Sequence, residues 1–120
     1  MSYKSKNVAL FFAKLLHEKK AQDIVILDIQ KISFIADYFI IATGSSSTHL
    51  KTLANTVIEK IKENNINRNV NYEGSPVTGW VLLDCNDIVI HLFSEEKRDY
   101  YNLEYIWQEA HRVSMPEIES

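Results

Sequence analysis

The sequence predicts a single layered α/β domain built around a mixed, mostly buried sheet of about five strands, with helices on its faces. Three observations lead there. Short β-branched runs at 24–29, 38–43 and 88–93 carry apolar residues at both parities, which suits strands covered on both sides. Between them lie segments whose apolar residues recur at three and four, the stripe of an amphipathic helix. The resulting order is helix, two strands, helix, a short strand, two strands, helix, so helices alternate with sheet and must cover it.

The first helix is read from Val8, Phe11, Phe12, Leu15 and Leu16, with Ser2 or Ser5 as its cap. Its polar end at 17–20 is a solvated last turn, which leaves His17 on the surface. The strand at 24–29 follows, then a polar turn containing Lys31 and Ser33, then the strand at 38–43. Gly44 and the serines after it break the pattern. Leu50, Leu53, Ala54, Val57, Ile58 and Ile61 resume at helical spacing behind a Ser N-cap. Asparagines at 64–69 end this helix where Gly often serves. Residues 70–72 are read as an edge strand and 73–79 as a loop, because the loop holds two of the three Gly and one of the two Pro.

Residues 80–93 read as a hairpin that reverses at Asp84-Cys85-Asn86-Asp87, residue types that tolerate left-handed backbone and bond their own main chain. In its second strand Ile88, Ile90 and Leu92 face one side, and Val89, His91 and Phe93 the other. A charged connection at 94–99 leads to a last amphipathic helix carrying Tyr100, Leu103, Ile106, Trp107 and Ala110. The domain is thus drawn over 1–113, with 114–120 a loose tail.

Composition narrows the function classes. With 120 residues, 46% hydrophobic and 24% charged, the chain needs neither a disulfide nor a metal to hold a core. Its single Cys, Cys85, cannot form an internal disulfide, and no signal-peptide order or bilayer-length apolar run is present, so a cytoplasmic address is expected. A net charge of −3 with mixed Lys, Arg, Asp and Glu lacks the basic footprint of a sequence-specific nucleic-acid binder. Docking on a basic protein fits better.

Motifs that could carry chemistry are thin. Gly44-Ser45 between a strand and a helix could meet a phosphate, but no Walker pattern surrounds it and no Asp-x-Asp follows it. Asp84 and Asp87 are too few to hold a metal, and turn formation explains them. His49 and His91 show no zinc spacing, and His91 reads as a hydrogen-bonded core residue. Cys85 has no basic neighbour to make it a thiolate. Trp80 allows two readings, a large core residue or an exposed anchor. No cofactor is expected.

Taken together, 36–49, Glu73-Gly74, 80–87, His91 and 98–107 resemble the ribosomal silencing factor family, also called the Iojap-like proteins. The resemblance implies a nucleotidyltransferase-like fold without that fold's metal-binding carboxylates, and a translation repressor rather than an enzyme. It implies binding to a large-subunit ribosomal protein on the face that meets the small subunit. Joining of the subunits would be blocked sterically under nutrient limitation. It also implies homodimers; with no bilayer-length apolar run, no membrane partner is expected. By position, the contact surface would comprise Trp80, Asp84, Cys85 and Asp87, with Glu73 and Arg98 added. Cys85-Asn86 departs from the family's bulky apolar residue followed by Gly. Two other classes stay open: a small nucleotidyltransferase-like enzyme using Gly44-Ser45 and Asp84/Asp87, and a homodimeric scaffold.

Overall fold

The computed structural model describes residues 2–63 and 70–114. Its elements are α1 (Ser2–Glu18), β1 (Gln22–Asp28), β2 (Tyr38–Thr43), α2 (Ser47–Glu63), β3 (Asn71–Ser75), a 3-10 turn (Pro76–Thr78), β4 (Trp80–Asp84), β5 (Ile88–Phe93), α3 (Glu95–Tyr101), α4 (Leu103–Ile106) and β6 (His111–Arg112). The sheet runs β3-β4-β5-β2-β1-β6, with β2 and β5 parallel and every other neighbour antiparallel.

The parity of β5 divides the interior as its sequence requires. Ile88, Ile90 and Leu92 join Phe12 and Leu16 of α1 and Leu50, Leu53 and Val57 of α2 in the larger cluster. Val89 and Phe93 face the other way, with Leu27, Phe39 and Ile41, beneath Leu103, Trp107 and Ala110. All six residues of β2 and of β5 are buried. No helix among the described residues is long and apolar enough to cross a membrane.

Several boundaries differ from the sequence reading, each for a local reason. α1 starts at Ser2, which places Ser5 inside the helix and buried rather than at its cap. α2 has its Ser cap: Ser46 Oγ accepts the His49 N–H at 3.0 Å. β3 extends through 73–75, which were read as loop, because Gly74 takes a left-handed φ of 83° within the strand. The last helix is two short ones. Ser94 Oγ caps α3 by accepting from the Lys97 N–H, so the helix begins inside the stretch read as a charged connection. Asn102, at φ 49°, then breaks the path. A sixth strand follows, pairing Arg112 with Leu27 and His111 with Asp28. The helix end at 64–69 and the tail from 115 lie outside the described residues.

Candidate docking surface

β4 alternates, with Val81 and Leu83 in the larger core and Trp80, Leu82 and Asp84 on the opposite face. Its antiparallel partner β3 sets Glu73 across from Leu82 and Ser75 across from Trp80. Glu73, Trp80, Leu82 and Asp84 therefore share one face of two adjacent strands, and β3 forms the edge of the sheet.

Trp80 belongs to this face and also packs inward. It is half-buried, against the smaller core, with its ring 6.5 Å from that of Tyr101. A Cβ on Gly74 would lie 2.5 Å from Trp80 Cε3, so the indole lies over a position only glycine can occupy. The turn beyond Asp84 is tight. Asp84 Oδ1 accepts the Asn86 N–H at 3.0 Å, and Asn86 takes a φ of 74°. The Asp87 carbonyl accepts the N–H groups of Asp37 and Tyr38, tying the turn to the start of β2.

Two predicted contact residues do not face outward. Cys85 follows the inward parity of Val81 and Leu83 and is fully buried, so its side chain gives a partner no contact area. Arg98 is turned into the fold, where its Nε donates to Glu104 Oε1 and its Nη1 to Thr43 Oγ1, both at 2.9 Å. Glu104 Oε2 also accepts from Arg112 Nη2 at 3.2 Å. Burial raises the Glu104 pKa, but the bonds and charges of Arg98 and Arg112 outweigh it and hold the carboxyl below its usual range. These residues line an open polar cleft and fasten the C-terminal segment to β2. Arg98→Met should lower stability by about 2 kcal/mol, the scale of hydrogen bonds to charged groups, measured by urea unfolding. An unchanged midpoint would contradict it.

The enzyme alternative is not assembled. Gly44 follows the end of β2, whereas Asp87 precedes β5 at the start of the parallel β2–β5 register. The two groups thus sit at opposite ends of the sheet, about 20 Å apart at the usual strand rise. The Ser45 N–H donates to His49 Nδ1 at 2.9 Å, and His49 Nε2 lies 2.7 Å from the Lys19 carbonyl. His49 thereby couples the loop before α2 to the end of α1, occupying an amide that a phosphate would need. His91 is buried between Phe39 and Phe93, but neither ring nitrogen has a hydrogen-bond partner, unlike the bonded core histidine expected. Among the described residues, no three His, Cys, Asp or Glu side chains converge as metal ligands would.

Sequence parity puts Leu82 on the side of Trp80 and Asp84, yet Leu82 is not among the contact residues expected from the sequence. The exposed apolar residues of the β1–β2 connection likewise fall in a stretch whose sequence reads as a polar turn.

Comparison with known proteins adds the family. The profile described as "Ribosomal silencing factor during starvation" matches residues 2–120. The chain belongs to that family. The ribosomal silencing factor of Bacillus subtilis is 37% identical over 105 residues, covering 88% of each chain. A Mus musculus protein named mitochondrial assembly of ribosomal large subunit protein 1 is 30% identical over 95 residues, covering 78% of this chain and 42% of that protein. A crystal structure of a Chromobacterium violaceum protein superposes with a TM-score of 0.79 at 33% identity, covering 91% of this chain and 89% of that one. The family description is that of a ribosomal silencing factor, a regulator rather than a catalyst.

Proposed function

We propose that this silencing factor docks through the β3–β4 face onto a protein of the large ribosomal subunit, on the side that meets the small subunit, and blocks their joining sterically. One observation carries the reading: Glu73, Trp80, Leu82 and Asp84 form a continuous face in which a half-buried aromatic and a Leu are flanked by carboxylates. Such a face suits a basic protein surface, with apolar area at its centre and charge at its rim. The mouse relative's name, which concerns assembly of the large subunit, favours that subunit as the partner. The reading places the protein with ribosomes in the cytoplasm and gives it a stoichiometric role.

Purified protein mixed with separated subunits should reduce their joining in a sucrose gradient, and unchanged joining at saturating protein would sink the idea. Trp80→Glu should weaken docking at least about tenfold, as loss of a central aromatic anchor does. Circular dichroism of the variant should match the parent. If it reports unfolding instead, Trp80 is a core residue. Sizing at several concentrations would separate a monomer from a homodimer built on the same face.

A further inference from the structure

We infer that the connection between β1 and β2 is a second arm of the docking surface, seating a basic protein segment of the large subunit beside the β4–β5 turn. This rests on the proposed docking to that subunit and extends it to residues with no part in it so far. Phe34 is fully exposed, Ile35 is 66% exposed and Ile32 49%, so three large apolar side chains within four residues face solvent.

The connection is held in shape. The Ile29 N–H donates to the Asp37 carbonyl at 3.0 Å and closes the base of the loop. The N–H groups of Ile32 and Ser33 both donate to the Ile29 carbonyl, and Ser33 Oγ accepts from the Ile35 N–H. Ile29 and Ala36 are buried in the smaller core and anchor the two sides. The apolar tip is thus presented by an ordered frame, which lowers the ordering penalty on binding.

Its surroundings select the occupant. The Asp37 N–H donates to the Asp87 carbonyl at 2.7 Å, and three residues of chain reach at most about 10 Å, so Phe34 stands beside the turn. Asp28 ends β1, Asp37 precedes β2, Asp84 ends β4 and Asp87 precedes β5, all at this end of the sheet, whereas the loop itself contributes only Lys31. Asp28 and Asp37 act far enough to help burial raise the Tyr38 hydroxyl pKa. RNA phosphates would be repelled here. A second copy meeting this end symmetrically would set aspartates against aspartates. A Lys- or Arg-bearing protein segment, with an apolar group to cover Phe34 and Ile35, satisfies both the charge and the exposed area.

The test is co-sedimentation of the full chain and of Phe34→Ser and Ile35→Ser with salt-washed bacterial large subunits. Melting temperatures and sizing are recorded alongside. Each variant should bind about tenfold more weakly while melting like the parent, the effect of truncating an apolar anchor. If the variants bind like the parent while Trp80→Glu does not, the second arm is refuted and docking through β3–β4 stands. If the parent does not sediment with large subunits, both readings fall. If Phe34→Ser abolishes a dimer and leaves ribosome binding intact, the loop seats a second copy and the inference is wrong. Phe34-dependent binding to protein-free ribosomal RNA would overturn it as well.

Discussion

His91→Leu is expected to flatten the fall in stability that the parent protein shows between pH 6.5 and pH 4. His91 lies in β5 opposite Leu82, between the rings of Phe39 and Phe93, with both nitrogens unbonded. Desolvation by burial lowers its pKa from 6.5 to about 4. In the folded protein the ring therefore stays neutral as pH drops below 6.5, while the unfolded chain takes up a proton. The unfolded state gains at the expense of the folded one until pH reaches about 4, where the native ring also charges. The difference between 6.5 and about 4 corresponds to about 3 kcal/mol lost on acidification. Leucine removes the titration and two unsatisfied polar atoms, so stability at pH 7 should hold or rise by about 1 kcal/mol. Urea unfolding of both proteins at pH 7, 5.5 and 4 checks this. Parallel losses in the two proteins would place the acid sensitivity elsewhere.

Gly74→Ala should remove about 3 kcal/mol of stability and docking with it. Part comes from the backbone, since a φ of 83° disfavours any side chain by about 1 kcal/mol or more. The rest is a collision: the new Cβ would lie 2.4 Å from the Trp80 carbonyl oxygen and 2.5 Å from its ring. Relief requires β3 to move or the indole to swing out, and either change deforms the Glu73–Trp80 face. Circular dichroism during denaturation would read the first effect and large-subunit co-sedimentation the second. A variant with the parent's midpoint and affinity would show that the strand accommodates the methyl.

What could be read from the sequence was whatever repeats along the chain. The two-sided burial of β5 follows from apolar residues at both parities, and α1 and α2 follow from their stripes. β6 carries no such period. Its two exposed residues are strand only because the edge of β1 offers partners to them. The break at Asn102 leaves no trace in the apolar stripe, because Leu103, Trp107 and Ala110 still pack on the sheet from a bent path. Cys85 was placed on the contact surface by position in a family motif, although its parity with Val81 and Leu83 already sends it inward. The inward turn of Arg98 joins Thr43, fifty-five positions away, and no local pattern encodes that. The unbonded nitrogens of His91 are likewise a property of its neighbours rather than of its strand.

The parallel pairing of β2 with β5 also bears on how the chain folds. The β1–β2 hairpin and the β3-β4-β5 meander each close through nearby connections, whereas Tyr38 and Ile88, paired across the seam, stand fifty positions apart. Closing that span sets the larger loop entropy against contacts that form only when the seam is complete. The β3-β4-β5 meander is thus the more local structure, and joining the two halves of the sheet along the seam is expected to be the slower event. Until the seam forms, Val89, His91 and Phe93 lack Phe39 and Ile41 beside them, so the part of the sheet that flanks Trp80, Leu82 and Asp84 on the same face is finished last.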